Sequence, residues 1–333
     1  MALPIFMQKG EGFSMCREKE GNQKPYTVLS TLDMDYTEWL KIRKTGIGGS
    51  DAGAVCGLNP YRSPMAVYQD KVSEEIEYED NESMRQGRDL EEYVARRFTE
   101  ETGLKVRRSN KMYRSSIYPF MLADVDRLIV GEDAGLECKT ASAYSADQWK
   151  DGAIPAHYLI QCYHYMAVSG KRTWYIAVLI MGKEFQHRKI VWDDDLIRDL
   201  TTIEEKFWND HVVPRIMPDP DGSRACDEVL NQYFGRSRCG TEIPLVGFDE
   251  KLKRREELIQ LSRHLEEEQK RIEQEIKMAL GANERGFSSN YRVSWTSVDT
   301  ARLDTKKIKE EVPDLYKKYL KVSTTRRFEV KAA

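Results

Sequence analysis

A strand–turn–strand pattern near the middle of the chain constrains its fold more than any other feature. Residues 123–130 are largely apolar, and a polar, glycine-flanked segment, residues 131–135, separates them from residues 136–139. This arrangement is typical of two β-strands joined by a turn. Because side chains alternate between the faces of a strand, Glu137 and Lys139 are predicted to share one face of the hairpin.

The hairpin carries a candidate catalytic set, Asp126 on the first strand and Glu137 and Lys139 on the second. Carboxylates are ligands that Mg²⁺ prefers, and hydrolysis of a phosphodiester needs a metal to neutralise the phosphate and to help make hydroxide. The alternative is a solvated hairpin with an ordinary ion pair. Apolar neighbours favour the catalytic set, because buried carboxylates are costly without a metal or another partner. Asp124 is an additional acid without an evident role.

The composition indicates a soluble globular protein. A length of 333 residues allows one large domain or two smaller ones, and 40% of the residues are hydrophobic. The longest apolar run, residues 175–181, is too short to span a bilayer, and the N-terminus lacks a secretion-signal pattern, so a cytoplasmic protein is expected. The six cysteines include no Cys-x-x-Cys pair, which argues against a zinc ribbon or a disulfide framework.

Charge is distributed unevenly along the chain. The net charge is −3, with six acidic and no basic side chains in residues 73–82, whereas residues 105–114 carry five basic side chains around Tyr113. Such a basic stripe can bind phosphates even when the total charge is acidic, or it can be a solvated strand edge.

A glycine-rich turn, residues 43–51, precedes a helix of small residues, 52–56. Exposed backbone N–H groups at such a turn can bind an anion, although the turn lacks the ending of a Walker A loop and can be a simple helix cap. The preceding short helix is predicted to have Thr37 as its cap.

An amphipathic helix is predicted over residues 87–102. Glu91 lies on its apolar stripe with Val94 and Phe98, whereas Glu92 is predicted to face solvent. An acid on the core-facing side requires either a metal or a buried arginine partner.

The next elements complete an α/β or α+β core. Pro155 and Gly170 are predicted to bound a helix on which Gln161 and Tyr165 share one face. Two strands, residues 173–181 and 185–192, and a helix from residues 193–195 to before Pro214 are predicted to follow. His157 and His164 are interpreted as packing residues.

The C-terminal third has a different character. Residues 216–246 are predicted to be an irregular linker. Residues 249–280 contain no glycine or proline and are predicted to form a helix on the order of 45–50 Å long. Its narrow apolar stripe suits a coiled coil or packing on a partner. Strands are predicted at residues 291–297 and 326–330.

Four ordered motifs make the chain similar to one known family. The motifs are Trp39-Leu40-x-x-Arg43 followed by Gly48-Gly49-Ser50-Asp51, Gly87-x-x-x-Glu91, Asp126 followed by Leu136-Glu137-x-Lys139, and Gln161-x-x-x-Tyr165. Over residues 30–215 the chain resembles the YqaJ/lambda-exonuclease family of phage recombination nucleases, in the RecB-like branch of the PD-(D/E)xK superfamily.

The resemblance implies a fold and a domain organisation. The fold would be an α/β (α+β) restriction-endonuclease-like core, with a mixed central β-sheet flanked by helices. The implied segments are a flexible N-terminal arm (1–27), the nuclease core (28–215), the linker (216–246), the long helix or coiled coil (247–281) and a small α+β tail (282–333).

The resemblance also implies residue roles. Asp126, Glu137 and the Cys138 carbonyl would be the core metal ligands, with Glu91 as a further ligand. Lys139 would orient or deprotonate the attacking water, Gln161 would help hold that water or the lysine, and Tyr165 would support them. Arg43 and Ser50 would bind a 5′-phosphate; the alternative is that Arg43 pairs with Asp51 or another acid and so holds the loop in place. Oxygen ligands without histidine indicate Mg²⁺, with Mn²⁺ as a substitute, and two ions per site.

The implied activity is 5′-to-3′ exonuclease digestion of linear double-stranded DNA in phage or prophage recombination. The implied partners are DNA ends, a single-strand annealing protein and further copies of the chain, as a trimer. Two alternatives stay open: a structure- or sequence-specific endonuclease on the same fold, and a non-catalytic scaffold that binds DNA ends or a protein. No base-reading element is visible, and the intact Asp126, Glu137 and Lys139 argue against the scaffold.

Overall fold

The structure is a computed structural model that describes residues 24–76, 81–321 and 328–330. The chain divides into two compact units, with the boundary between Phe234 and Gly235. Most of the predicted flexible arm, residues 1–27, lies outside the described residues. Its last two residues belong to the first strand, so that part of the prediction is wrong.

The first unit contains two β-sheets. Their strands are β1 (Tyr26–Ser30), β2 (Val106–Arg108), β3 (Lys111–Ser115), β4 (Leu122–Asp124), β5 (Arg127–Ile129), β6 (Ala134–Ala141), β7 (Thr173–Ile180) and β8 (Glu184–Val191). The small sheet has the order β1-β3-β4 and the central sheet the order β2-β5-β6-β7-β8. Only the β6–β7 pair of the described central sheet is parallel. The predicted mixed central sheet is therefore confirmed.

Helices flank this sheet. In the first unit they are α1 (Tyr36–Lys44), α2 (Gly49–Val55), α3 (Pro64–Val72), α4 (Glu82–Thr102), α5 (Ala156–Ser169), α6 (Asp194–Phe207) and α7 (Arg224–Tyr233). The α1 helix begins earlier than predicted, because the Asp35 side chain, not Thr37, accepts the N-terminal hydrogen bond from the Glu38 N–H at 2.8 Å. The α4 helix also begins earlier than predicted, since Asn81 caps it through the Met84 N–H.

The two faces of the central sheet pack on different helices. Leu136 and Tyr175 belong to the apolar cluster of Val94 and Phe98 on α4. Alternate residues of β7, including Trp174, pack in the larger cluster that contains much of α5. Because parallel neighbours need a crossover connection, α5 joins β6 to β7 and covers the face on which Glu137 and Lys139 lie.

The predicted first strand of the hairpin is interrupted. Residues 123–130 were expected to form one strand, but β4 pairs with β3 in the small sheet and β5 pairs with β6 in the central sheet. Val125 and Asp126 carry the chain from one sheet to the other. The interruption has a local cause, because the Cys138 N–H donates to Asp126 Oδ2 at 2.8 Å, where a continuous ladder would use a backbone acceptor.

The predicted linker contains an ordered helix. Within residues 216–246, α7 packs on α3 through Cys226, Val229 and Met65, which form a small buried cluster. The compact first unit therefore extends to Phe234, beyond the predicted core boundary at residue 215.

The second unit contains the long helix α8 (Asp249–Leu280), which has the predicted bounds. Its other elements are β9 (Arg285–Phe287), β10 (Arg292–Ser294), α9 (Thr305–Glu311) and α10 (Pro313–Tyr319). The predicted strand at residues 291–297 is shorter, and its partner β9 was not predicted. The second predicted strand falls partly outside the described residues, and residues 328–330 are not in a strand.

None of the helices that the structure describes combines the length and the apolar character required to cross a membrane.

Candidate active site

The structure brings Asp126, Glu137, Lys139 and Gln161 together at the centre of the sheet. Lys139 Nζ lies 2.5 Å from Glu137 Oε1, and Gln161 Nε2 donates to the same oxygen at 2.7 Å. The second oxygen, Glu137 Oε2, is buried and has no hydrogen-bond partner among the described residues. One carboxylate oxygen is thus held by two donors, while the other accepts no hydrogen bond from the described residues.

The α5 helix supplies the support for this arrangement. Gln161 also donates from Nε2 to Tyr165 Oη at 2.8 Å, so the pair predicted to share one helix face is in contact. The Lys139 ammonium lies 4.7 Å from the ring centre of Tyr158, one helical turn before Gln161. Sequence reasoning did not select Tyr158, although its spacing from Gln161 places it on the same side of the helix.

Burial and mutual charge shift the pKa values of the acidic and basic groups in the site. Burial, and then the charges of Glu137 and Glu91, raise the pKa of Asp126 well above its ordinary value. Burial also raises the pKa of Glu137, which Lys139 offsets only in part. Burial alone would lower the pKa of Lys139, but Glu137 and Asp126 raise it. The two carboxylates are therefore harder to ionise here than in water, and a nearby positive charge favours their ionised forms.

Glu91 has an arginine partner. Arg127, itself almost fully buried, forms an ion pair with Glu91 and donates to Glu92 Oε2 at 3.0 Å. Glu92 also accepts a hydrogen bond from Arg108 at 3.0 Å, so this exposed side chain is engaged with protein groups as well as facing solvent. Glu91 nevertheless lines the same polar cleft as Asp126. Of the two alternatives for Glu91, the arginine partner is present, and metal ligation stays a proposal.

The donor set fits a cation that keeps several water ligands better than it fits a cation enclosed by protein ligands alone. Within the described ranges, no three His, Cys, Asp or Glu side chains enclose a metal position by themselves. Mg²⁺ usually keeps several waters and binds through one or two carboxylates together with substrate phosphates. Asp126, the unpartnered oxygen of Glu137 and the adjacent Cys138 carbonyl fit this pattern.

The histidine of α5 nearest the sheet is a structural residue. His164 Nδ1 lies 2.8 Å from Glu204 Oε1, and His164 Nε2 lies 2.8 Å from the Leu122 carbonyl oxygen. Because both ring nitrogens are engaged, the interpretation of His164 as a packing residue is confirmed. The centre of the His157 ring lies 4.0 Å from the centre of the Tyr158 ring, next to the site.

The side chains of Arg43 and Ser50 are in direct contact. Arg43 Nη2 donates to Ser50 Oγ at 2.8 Å, and the guanidinium lies 4.7 Å from the ring centre of Trp39. Trp39 Nε1 in turn donates to Asp124 Oδ2 at 2.7 Å. Asp124 lines the cleft that contains Asp126, so these contacts connect the Arg43–Ser50 pair to that cleft.

The sequence did not predict the buried charge cluster that Asp51, the residue after Ser50, forms with Arg62 and Lys71. Asp51 is fully buried, pairs with Arg62, lies 2.7 Å from Lys71 Nζ and accepts a hydrogen bond from the Gly48 N–H at 3.0 Å. A lone acid among the small residues of α2 was the available signal. Its partners are distant in sequence, so the pattern could not identify them.

The basic stripe at residues 105–114 is partly structural. Arg108 pairs with Glu92, and Arg114 donates to Thr45 Oγ1 at 2.6 Å. Lys105, Arg107 and Lys111 are exposed and available to phosphates.

The chain is similar to a protein family and to a bacterial protein. A family model described as a YqaJ-like viral recombinase domain matches residues 38–172, which include all of the candidate residues. The chain is 40% identical over 315 residues to the uncharacterized protein YqaJ of Bacillus subtilis (strain 168), covering 93% of this chain and 98% of the relative.

Two solved structures are also similar. An alkaline exonuclease from Laribacter hongkongensis has 21% identity and a TM-score of 0.47, covering 54% of this chain and 94% of its own. A phage-related exonuclease from Haemophilus somnus 129PT has 13% identity and a TM-score of 0.41, covering 53% of this chain and 99% of its own.

Proposed function

The chain belongs to the YqaJ-like viral recombinase family, and on this basis we propose that it is a Mg²⁺-dependent deoxyribonuclease that digests linear double-stranded DNA from its 5′ ends. The observation that carries the proposal is the arrangement of Glu137. One of its oxygens is held by Lys139 and Gln161, and the other is buried without a hydrogen-bond partner in the described part of the chain. A buried carboxylate in this state is suited to a cation and is costly without one.

The residues of the site have distinct tasks in this mechanism. Asp126, Glu137 and the Cys138 carbonyl would hold the metal, with Glu91 as a further acid; the metal supplies neutralisation of the phosphate and activation of water. Lys139, held against Glu137 as an ammonium, would orient the attacking water as a hydrogen-bond donor. Gln161 fixes the Glu137 carboxylate and is itself fixed by Tyr165.

Arg43 and Ser50 would bind the 5′-terminal phosphate. The guanidinium offers a planar fork that matches phosphate oxygens, and its position over Trp39 limits its freedom before the substrate arrives. Ser50 Oγ lies within hydrogen-bond distance of Arg43, so one phosphate oxygen can contact both. Binding the end phosphate here would place the terminal phosphodiester next to Asp126 and fix the polarity of digestion.

Digestion of labelled duplexes tests the proposed activity. The full chain is incubated with Mg²⁺ and a linear duplex labelled at either the 5′ or the 3′ end, with the covalently closed circle of the same sequence as control. We expect early release of the 5′ label, late release of the 3′ label and an intact circle. Cleavage of the circle would favour the endonuclease alternative, and no cleavage of any DNA would favour the scaffold.

Replacement of Arg43 tests end recognition. Wild type is expected to prefer 5′-phosphorylated over 5′-hydroxyl ends, and Arg43→Ala should lose this preference while it retains slow cleavage. A charge-assisted hydrogen bond contributes about 1.5–3 kcal/mol, so the loss should be about ten- to a hundred-fold in kcat/KM on phosphorylated ends. Arg107→Ala, at an exposed position of the basic stripe, is the control. Equal digestion of both ends by wild type would refute this role.

The long helix would serve association, not cleavage. Leu258, Leu265 and Ile272 on α8 are between 50% and 66% exposed and recur at heptad spacing, which suits a second copy of the chain or an annealing protein. Self-association into a trimer stays part of this proposal.

Truncation tests the separation of the two units. A chain that ends at residue 246 is expected to unfold cooperatively, to keep cleavage and to lose self-association, as measured by thermal melting, digestion and sedimentation. A chain that ends at residue 222 is the comparison; it lacks α7, exposes Met65 and should melt at a lower temperature. An insoluble or inactive 246-residue chain would show that the second unit is required for the fold of the first.

A further inference from the structure

Asp124 is the acid of the cleft that the proposed chemistry leaves unused. It ends β4, two residues before Asp126, and lines the same cleft as Asp126 and Glu91. One of its oxygens, Oδ2, is already engaged, because Trp39 Nε1 donates to it at 2.7 Å. A carboxylate at this position can act either as another metal ligand or as an anchor for the tryptophan.

The tryptophan connects Asp124 to the Arg43–Ser50 pair. Trp39 and Arg43 are one turn apart on α1, and the guanidinium lies 4.7 Å from the centre of the indole ring. The ring of Tyr36 also stacks on the ring of Trp39, with 5.3 Å between the ring centres and an interplanar angle of 25°. The orientation of the indole therefore determines where the Arg43 guanidinium lies.

The hydrogen bond to Asp124 fixes that orientation. An indole has a single N–H donor, and a hydrogen bond to a carboxylate is shorter and stronger than one between neutral groups. The acceptor is itself fixed, because Asp124 pairs with Met112 in the β3–β4 ladder. The result is a continuous connection from β4, which ends two residues before Asp126, through Asp124, Trp39 and Arg43 to Ser50.

We propose that Asp124 is a positioning residue that, through Trp39, holds Arg43 at a fixed place relative to Asp126 and so couples recognition of the 5′-phosphate to the cleavage site. This inference rests on the proposed function, since it explains how the distance between the bound end phosphate and the bond to be cut is kept constant. It also assigns Asp124 a role other than metal ligation.

Three substitutions separate the two roles of Asp124. Trp39→Phe keeps an aromatic ring under Arg43 and removes only the N–H donor. Asp124→Asn keeps an oxygen acceptor for the indole and removes the charge, whereas Asp124→Leu removes both. Thermal melting of each variant checks that it folds; if Asp124→Leu does not, Trp39→Phe still removes the same hydrogen bond from the other side.

The first readout is binding, measured in EDTA so that it does not depend on cleavage. The ratio of dissociation constants for 5′-hydroxyl and 5′-phosphorylated duplexes is determined by fluorescence anisotropy for wild type and variants. Trp39→Phe and Asp124→Leu are expected to reduce this ratio several-fold, and Asp124→Asn to retain most of it. The double variant Trp39→Phe/Asp124→Leu should lose no more than either single variant, because both break one hydrogen bond.

The second readout is the Mg²⁺ concentration that gives half-maximal digestion. It should be the same in Asp124→Asn as in wild type. A large increase of this Mg²⁺ concentration in Asp124→Asn would make Asp124 a metal ligand and overturn the proposal. The proposal would also be overturned if Trp39→Phe kept the wild-type preference for 5′-phosphate, or if wild type showed no such preference. Because binding is measured without cleavage, an inactive protein that still prefers 5′-phosphorylated duplexes would refute the nuclease function but not the positioning role of Asp124.

Discussion

Replacement of Lys139 by methionine, or of Asp126 by asparagine, is expected to abolish cleavage of linear duplex DNA while the protein stays folded and binds DNA. Lys139 is the only described ammonium in contact with Glu137, and Asp126 is the acid that bonds the Cys138 N–H opposite it. Asp126→Asn removes a proposed metal ligand, and Lys139→Met removes a positioned ammonium; loss of one positioned electrostatic group of an active site costs about 10²–10³-fold in rate. The measurement is the initial rate of nucleotide release at saturating Mg²⁺.

An ion pair outside the cleft offers matched controls. Asp133, exposed in the turn between β5 and β6, pairs with Lys171, which precedes β7, with Lys171 Nζ 2.5 Å from Asp133 Oδ1. Asp133→Asn and Lys171→Met make the same chemical changes away from the cleft and should cleave at the wild-type rate. Cleavage at the wild-type rate by Lys139→Met or Asp126→Asn would remove the catalytic assignment.

Replacement of Asp51 by alanine is expected to cause a large loss of stability. Asp51 is fully buried, and its partner Lys71, whose side chain is 1% exposed, would keep Asp70 as its one remaining acid among the described residues. Removing one partner of a buried ion pair costs about 3–5 kcal/mol in the free energy of unfolding. Urea unfolding measures the effect. Asp70→Asn, at a partly exposed acid, is the control and should cost clearly less.

The contribution of Asp51 also depends on pH. Burial alone would raise the pKa of Asp51, but Lys71, Arg62 and Arg43 together hold it well below its ordinary value. An acid with a lowered pKa stabilises the fold fully above its unfolded pKa, about 3.9, and loses that contribution as pH falls further towards the folded value. The stability difference between wild type and Asp51→Asn should therefore be constant from pH 7 to about pH 5 and decrease below about pH 4. A difference that does not change down to pH 3 would contradict the assignment.

Local periodicity was sufficient to predict several contacts of the site. Alternation along β6 placed Glu137 and Lys139 on one face, and the one-turn spacing on α5 placed Gln161 beside Tyr165. These relations depend only on backbone geometry over a few residues, which the sequence pattern determines directly.

The features that could not be predicted depend on partners distant in the sequence. The interruption between β4 and β5 follows from the Cys138 N–H that binds Asp126. The arginine that pairs with Glu91 comes from a different element, and so do the cations around Asp51. A pattern shows that a buried acid needs a partner, but the tertiary fold decides which partner it obtains.

Direct measurement of metal binding is the sharpest test of the central claim that Asp126 and Glu137 hold the catalytic cation. Mn²⁺ is titrated into the DNA-free protein, and bound metal is followed by electron paramagnetic resonance. Wild type and the Asp133→Asn control should bind Mn²⁺ alike, whereas Asp126→Asn and Glu137→Gln should lose that binding. Equal binding of Mn²⁺ by all four proteins would contradict the account.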